Sequence, residues 1–189
     1  MSLFVAVRPD DAAGEDLQDA LERVRRLPVA QPLRWQPPAL WHVTLAFLGN
    51  PPDDVDDGVA ERLEALTTHE IVPGLRLAGA GCFGRQVMWV GLEPGAPIDA
   101  LRSWAGIIPR LVRGTGAIAD RRPWRPHLTV ARARNGDATA VARMLADYRG
   151  PTFTAEEILL MRSTGGPTPS HRVVLRVPLV RTAPPRSRA

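Results

Sequence analysis

The sequence predicts an α+β fold of two pseudo-symmetric lobes, each a mostly antiparallel sheet with helices outside, facing each other across a central cleft. Three observations carry this expectation. A tetrapeptide pattern occurs twice, His42-Val43-Thr44-Leu45 and His127-Leu128-Thr129-Val130, and alanine follows each copy at Ala46 and Ala131. The 85 residues that separate the two histidines also separate Val5 from Val90, Pro9 from Pro94 and Pro38 from Pro123, so the register holds without a gap. Strand-like and helix-like runs then follow in the same order in both halves, some joined by short turns, as α+β chains do. Two copies are too few for a solenoid, so paired lobes are the economical arrangement.

The elements follow in chain order. Leu3 to Arg8 is a short apolar strand, matched by Val87 to Leu92. A helix is expected from about Ala12 to Leu27, where Leu17, Leu21, Val24 and Leu27 recur at helical spacing. Leu33 to Gln36 and Trp41 to Leu48 read as extended, and Pro37-Pro38 between them forbids a helical join. A second helix starts after Pro51-Pro52 with Val55, Val59, Leu63 and Leu66 on one side, and the apolar stretch Ile71 to Cys82 follows. The second half repeats this order: helix Ile98 to Val112, extended Ala117 to Arg121, strand His127 to Arg132, helix Ala138 to Tyr148 and strand Phe153 to Arg162. A final alternating run, Val173 to Val180, has no clear counterpart in the first half and is expected to complete a sheet.

Residues 1–181 therefore read as one bilobal domain with an internal repeat, roughly 3–83 and 88–166, and 182–189 as a disordered tail without apolar periodicity. A chain of 189 residues with 44% apolar and 23% charged residues has the make-up of a globular domain with a sizeable core. All 24 basic residues are arginine, yet the formal net charge is only +4, which permits an anionic partner without demanding one. Cys82 is the only cysteine, which excludes an intramolecular disulfide or a thiolate metal cluster and makes a buried, inert thiol the default. No basic leader with a long apolar segment and no stretch of membrane-spanning length is present, so a cytoplasmic monomer without a membrane partner is expected.

A strand sends residues i and i+2 to the same face. Each motif thus presents an imidazole beside a hydroxyl, His42 with Thr44 and His127 with Thr129, while Val43, Leu45, Leu128 and Val130 turn into the core. A single such pair is ordinarily a satisfied strand histidine; the duplicated register reverses those odds. Imidazole titrates near 6.5 and can take or give a proton close to neutrality, and threonine hydroxyls can donate hydrogen bonds to developing charge. No histidine pair has the close spacing of a metal site and no carboxylate cluster recruits one, so neither a metal nor a cofactor is expected. His69, near a helix end, reads as a cap, and His171, in a Gly/Pro-rich turn, as exposed. The five tryptophans read mostly as core or cleft wall.

Met1 to Gly49, with its strand, helix, Leu33-Arg34-Trp35 and His42-Val43-Thr44-Leu45-Ala46-Phe47-Leu48-Gly49, resembles the opening of the bacterial and archaeal RNA 2′,3′-cyclic phosphodiesterases of the 2H phosphoesterase superfamily, historically called 2′-5′ RNA ligases. Arg122-Pro123-Trp124-Arg125-Pro126-His127-Leu128-Thr129-Val130-Ala131-Arg132 is similar to that family's second signature, and Arg162-Ser163 with Gly165-Gly166-Pro167 to its C-terminal end. The resemblance implies metal-independent hydrolysis of RNA 2′,3′-cyclic phosphate ends to 2′-phosphomonoesters, with 2′-5′ ligation as the reverse. It implies His42 as proton donor and His127 as proton acceptor, with Thr44 and Thr129 on the phosphate oxygens. RNA ends or small nucleotides bearing a 2′,3′-cyclic phosphate are the implied partners. Arg125 and Arg132 are candidate phosphate contacts, although strict alternation puts Arg132 on the far side of its strand unless a bulge intervenes. Phe47 and Trp124 are candidates to stack a base. The chain departs from the family at Ser170-His171-Arg172, where an aromatic residue, usually tyrosine, is expected. Two other readings stay open: a phosphodiesterase for a small cyclic nucleotide or ADP-ribose cyclic phosphate, and a non-catalytic nucleotide- or RNA-binding module.

Overall fold

In the computed structural model, which describes residues 1–134, 136–164 and 170–181, the elements run β1 (Ser2–Val7), α1 (Asp11–Arg25), β2 (Leu33–Trp35), β3 (Val43–Phe47), α2 (Val55–Glu64), β4 (Val72–Phe83), β5 (Val87–Leu92), α3 (Ala96–Leu111), β6 (His127–Ala133), α4 (Thr139–Arg143), β7 (Arg149–Ala155), β8 (Glu157–Thr164) and β9 (Ser170–Pro178). The expected tail, 182–189, and Gly165-Gly166-Pro167 lie outside the described residues. Residues of opposite halves that differ by 85 begin α1 and α3, Asp11 and Ala96, and end β1 and β5, Val7 and Leu92.

The described strands form one nine-stranded sheet in the order β7-β4-β5-β6-β3-β1-β8-β9, with β2 added on β6. The two expected sheets are thus the halves of a continuous one, joined where Val43 pairs with Leu128, the two residues that the 85-residue shift exchanges. Beyond that pair β3 and β6 part. The edge of β6 is taken up by β2, with Leu33 opposite Ala133 and Trp35 opposite Ala131. The corresponding edge of β3 receives the Asp120 N–H on the Phe47 carbonyl at 2.8 Å, which is what becomes of the extended segment expected over Ala117 to Arg121: it forms no strand.

Two further expectations are corrected. The single strand expected over Phe153 to Arg162 is two strands, β7 and β8, interrupted at Glu156; β7 pairs with β4 and β8 with β1, so the chain passes from one half of the sheet to the other there. The helix expected over Ala138 to Tyr148 is α-helical only over Thr139–Arg143. Its continuation closes by bonds to the third residue back, Met144 N–H to Val141 O through Tyr148 N–H to Leu145 O, the tighter 3-10 pattern that does not extend far.

Burial explains the layering. Asp10 caps α1 by accepting the Ala13 N–H at 2.9 Å, and the buried stripe Ala13, Leu17, Leu21 and Val24 packs against β7 and β4. Along β1, Leu3, Val5 and Val7 join this helix-side core, while Phe4 and Ala6 join Leu159 and Met161 in a small cluster on the other face. On the helix side Arg162 is 2% exposed and Asp56 of α2 6% exposed. Arg162 Nε donates to Asp56 Oδ1 and Oδ2 at 2.9 and 2.8 Å, and its Nη1 and Nη2 donate to the Pro51 and Pro52 carbonyls at 3.0 and 2.7 Å. A buried charge is tolerated when it is paired and hydrogen-bonded in this way. Among the described residues no helix is long and apolar enough to cross a membrane.

Candidate active site

Each repeated motif carries a β-bulge at the same place. On β3, Ala46 pairs with Val5 and Thr44 with Ala6, which leaves Leu45 as the extra residue; on β6, Ala131 pairs with Met88 and Thr129 with Trp89, which leaves Val130. An extra residue reverses the alternation that follows it. Ala46 and Ala131 therefore turn inward, 8% and 0% exposed, a reason for the small residue after each motif. Phe47 and Arg132 come round to the face of the histidines and threonines, as the cleft lining records. The bulge that Arg132 needed is present.

The cleft between the halves has a volume of about 1070 Å³. His42 and Thr44 line it from one motif, His127 and Thr129 from the other, and Phe47, Trp124, Arg125 and Arg132 from their flanks. The structure thus brings all eight candidate residues to one cavity. Phe83, Ser163, Thr164, His171 and the charged Arg34, Asp120 and Arg122 are among the other residues of the same walls and were not singled out as site residues from the sequence.

The two imidazoles are held alike. His42 Nδ1 lies 2.7 Å from the Leu40 carbonyl, and His127 Nδ1 2.7 Å from the Arg125 carbonyl, each two residues back along the chain. A carbonyl only accepts, so Nδ1 carries the hydrogen in both rings and Nε2 is the nitrogen left to exchange a proton. Their surroundings differ. Burial pushes the His42 imidazole down to about 4, the bond to Leu40 offsets part of this, and His171, Arg8 and His127 lower it further. His127 is also lowered by burial, with the Arg125 carbonyl opposing and Arg132 adding to it.

The arginines and aromatics have distinct attachments. Arg125 and Arg132 are exposed, and Arg125 also supplies the carbonyl that orients His127. Trp124 Nε1 donates to the Thr44 carbonyl at 2.8 Å while the Arg102 guanidinium lies over its ring at 5.6 Å, so the indole ties the loop before β6 to β3. Phe47 is 37% exposed at the cleft rim. Trp89 lies over Gly81, where an added Cβ would stand 2.5 Å from the indole, and beside Phe83, which meets the His127 ring edge-on at 4.6 Å.

His171 is the main correction. Instead of an exposed turn it occupies β9, opposite Ser163, with its ring 4.9 Å from that of His42. A signal was available: His171 has the parity of Val173 in the alternating final run, and Val173 packs on the Phe4 cluster. His69 stands at a C-cap, that of the 3-10 turn Ala65–Thr68, and its buried Nδ1 has no hydrogen-bond partner. Among the described residues no three His, Cys, Asp or Glu side chains come together as a metal site.

Doubled bulged strands thus set two His-x-Thr pairs on one cleft, and comparison with known proteins gives the family. A sequence model of the 2′-5′ RNA ligase superfamily matches residues 5–167, and the chain belongs to that superfamily. It is 30% identical over 146 residues to an RNA 2′,3′-cyclic phosphodiesterase of Geobacillus stearothermophilus, a match spanning 74% of this chain and 46% of that protein. A protein of the same name from Aquifex aeolicus is 27% identical over 130 residues, 66% of this chain and 68% of the relative. Among solved structures, TT0787 of Thermus thermophilus superposes with a TM-score of 0.73 at 23% identity, over 94% of this chain and 97% of the other. Escherichia coli LigT complexed with 3′-AMP gives 0.75 at 19% identity, over 95% and 98%. These likenesses establish the two-lobed α+β fold.

Proposed function

We propose that this protein hydrolyses the 2′,3′-cyclic phosphate ends of RNA, in the cytoplasm, to 2′-phosphomonoesters, without a metal ion. The observation that carries the reading is the matched pair of imidazoles, each with Nδ1 bound to the carbonyl two residues back and Nε2 left for the cleft. The names of the Geobacillus and Aquifex relatives support the substrate, and a LigT structure of this fold was solved with 3′-AMP.

In this reading water attacks phosphorus and gives a proton to His127 Nε2. The bond from phosphorus to O3′ breaks, and His42 Nε2–H gives a proton to that oxygen. One water is consumed, and the products are a 2′-phosphate and a free 3′-hydroxyl. The Thr44 and Thr129 hydroxyls donate to the non-bridging oxygens, where charge builds. The depressed His42 sets a condition on its role. At about 4 it is neutral in the empty site near pH 7, so the acid form needs the negative phosphate beside it to raise its proton affinity. With a 5′-hydroxyl in the place of water the same steps join it to the cyclic phosphate end: the new bond forms between its oxygen and phosphorus, the bond to O3′ breaks, and a 2′-5′ linkage results.

The test is incubation, in excess chelator, with an oligonucleotide ending in a 2′,3′-cyclic phosphate and with the corresponding cyclic mononucleotide. A 2′-phosphate product from the oligonucleotide is expected. A 3′-phosphate, a marked preference for the mononucleotide, or binding without turnover would each overturn the assignment. The donor role of His42 is separated with a p-nitrophenyl phosphodiester, whose leaving group needs no proton: His42→Ala should lose far less on it than on the cyclic substrate.

A further inference from the structure

Phe4, His42 and His171 form a closed triangle of rings. Phe4 lies 4.8 Å from His42 at an interplanar angle of 31°, and His171 meets both edge-on, 5.2 Å from Phe4 at 71° and 4.9 Å from His42 at 73°. His127 shows no such arrangement among the described residues: its ring neighbour is Phe83, and no third imidazole accompanies it. The pseudo-twofold is broken here too.

His171 differs from the two motif histidines in its attachment. Its Nδ1 is buried and has no hydrogen-bond partner, so packing rather than a carbonyl holds the ring, and a proton on that nitrogen has no acceptor. The charged surroundings are mostly positive. Arg8, at the end of β1, donates to the Ala39 carbonyl at 3.0 Å and acts on both His42 and His171. On β9 itself, Arg172 and Arg176 flank the position; Glu157 of β8 is engaged by Arg176, and Asp56 of α2 by Arg162 and Arg172 on the helix side. Asp120 lines the same cleft but is bound by Arg122, and among the described residues no carboxylate acts on His42 or His171 to compensate two adjacent imidazolium ions, which repel strongly at this separation in any medium less polar than water.

We propose that His171 is a positioning residue for His42: it holds the His42 imidazole against Phe4, and protonation of either ring disfavours protonation of the other. A second proton on the wall beside His42 is thus harder to add than the first. An anionic phosphate in the cleft is then what draws the proton onto His42. This role rests on the reading of His42 as a proton-carrying group, but the repulsion between the rings belongs to the free protein and can be read without substrate.

The decisive measurement is the NMR titration of the imidazole resonances in the free protein, for the unaltered chain and for His171→Gln and His171→Phe. The glutamine removes the titrating ring and keeps polarity; the phenylalanine keeps the triangle and removes the charge, so it serves where glutamine disturbs packing. His42 should titrate higher in the variants by about half a unit or more, and the acid limb of kcat/KM should rise with it. Loss of kcat in His171→Gln with recovery in His171→Phe would read the packing of the ring, whereas the rise in the His42 titration, expected in both variants, reads the lost charge and is not produced by packing alone. An unchanged His42 titration in both variants overturns the proposal. If no form of the protein hydrolyses the cyclic phosphate while the His42 titration still moves, the functional reading fails and the coupling stands.

Discussion

Replacement of Asp56 by alanine tests the buried ion pair that fastens β8 to the start of α2. Arg162 has 2% of its surface exposed, and its Nε and Nη2 both reach the Asp56 carboxylate, Nη2 at 2.7 Å from Oδ1. Removal of one partner from such a pair strands the other charge and costs about 3–5 kcal/mol. Here Asp53, whose side chain is 66% exposed, remains 3.1 Å from Nη1, and the Pro51 and Pro52 carbonyls stay in place. Those partners set the loss at the lower end, about 3 kcal/mol. For a domain of this size that corresponds to a fall in Tm of about 6–12 °C. Thermal and urea unfolding followed by circular dichroism would measure it, with turnover at low temperature retained because the pair lies on the helix side of the sheet. Asp56→Leu with Arg162→Met should recover much of the loss, since an apolar pair of similar volume leaves no stranded charge. A loss below about 1 kcal/mol in Asp56→Ala would refute the view that this guanidinium depends on its carboxylate.

Three other outcomes are expected at the site and one beside it. His42→Ala and His127→Ala should each lower turnover of a cyclic phosphate by about 10²- to 10⁴-fold, with Thr44→Ala and Thr129→Ala milder and the fold retained in all four by circular dichroism. His42 binds its proton near 4 in the folded chain and near 6.5 when unfolded. The unfolded state therefore gains a proton first as pH falls, and up to about 3 kcal/mol of stability present above 6.5 should be lost on the way to 4, a slope that urea unfolding at several pH values would show and His42→Ala would flatten. The same shifts place the bell of kcat/KM on the acid side of neutrality, with its acid limb near 4 and its alkaline limb below 6.5, and a free-enzyme profile centred above pH 7 would contradict them. Gly81→Ala should press on Trp89 and, through Phe83, on His127, costing about 1–3 kcal/mol and part of kcat; normal stability and turnover would show that the indole moves aside freely.

The parts of the fold that were legible depend on short-range pattern. The 85-residue register aligned β1 with β5 and α1 with α3, because strand parity and helical spacing are local properties of the chain. Parity likewise set His42 beside Thr44 and His127 beside Thr129. What escaped depends on partners far away in sequence. Neither Leu45 nor Val130 looks like a bulge, since only the register of β1 and β5 makes each the odd residue. No glycine or proline marks Glu156, where the chain leaves β7 for β8, because nothing turns sharply in composition when a strand changes neighbours. His171 reached the cleft through its pairing with Ser163 across the sheet, and the polar, proline-rich surroundings that suggested an exposed turn describe its chain neighbours rather than its spatial ones.

The strand order has a consequence for how such a molecule is put together. β4, from the first half of the chain, pairs with β5 and β7 of the second, while β8 and β9 of the second half extend β1 of the first. Neither repeat closes its own sheet: cut between β4 and β5, the first fragment would be left with β2 and β4 unmatched and the second with β7, each with open edges. Two copies of one repeat could complete each other only by a reciprocal exchange, with their paired motifs meeting on the axis between them. In the single chain the two halves exchange strands with each other. The lobes are clasped rather than hinged, and the two histidines keep their spacing because each is carried by a sheet that the other half of the chain helps to build.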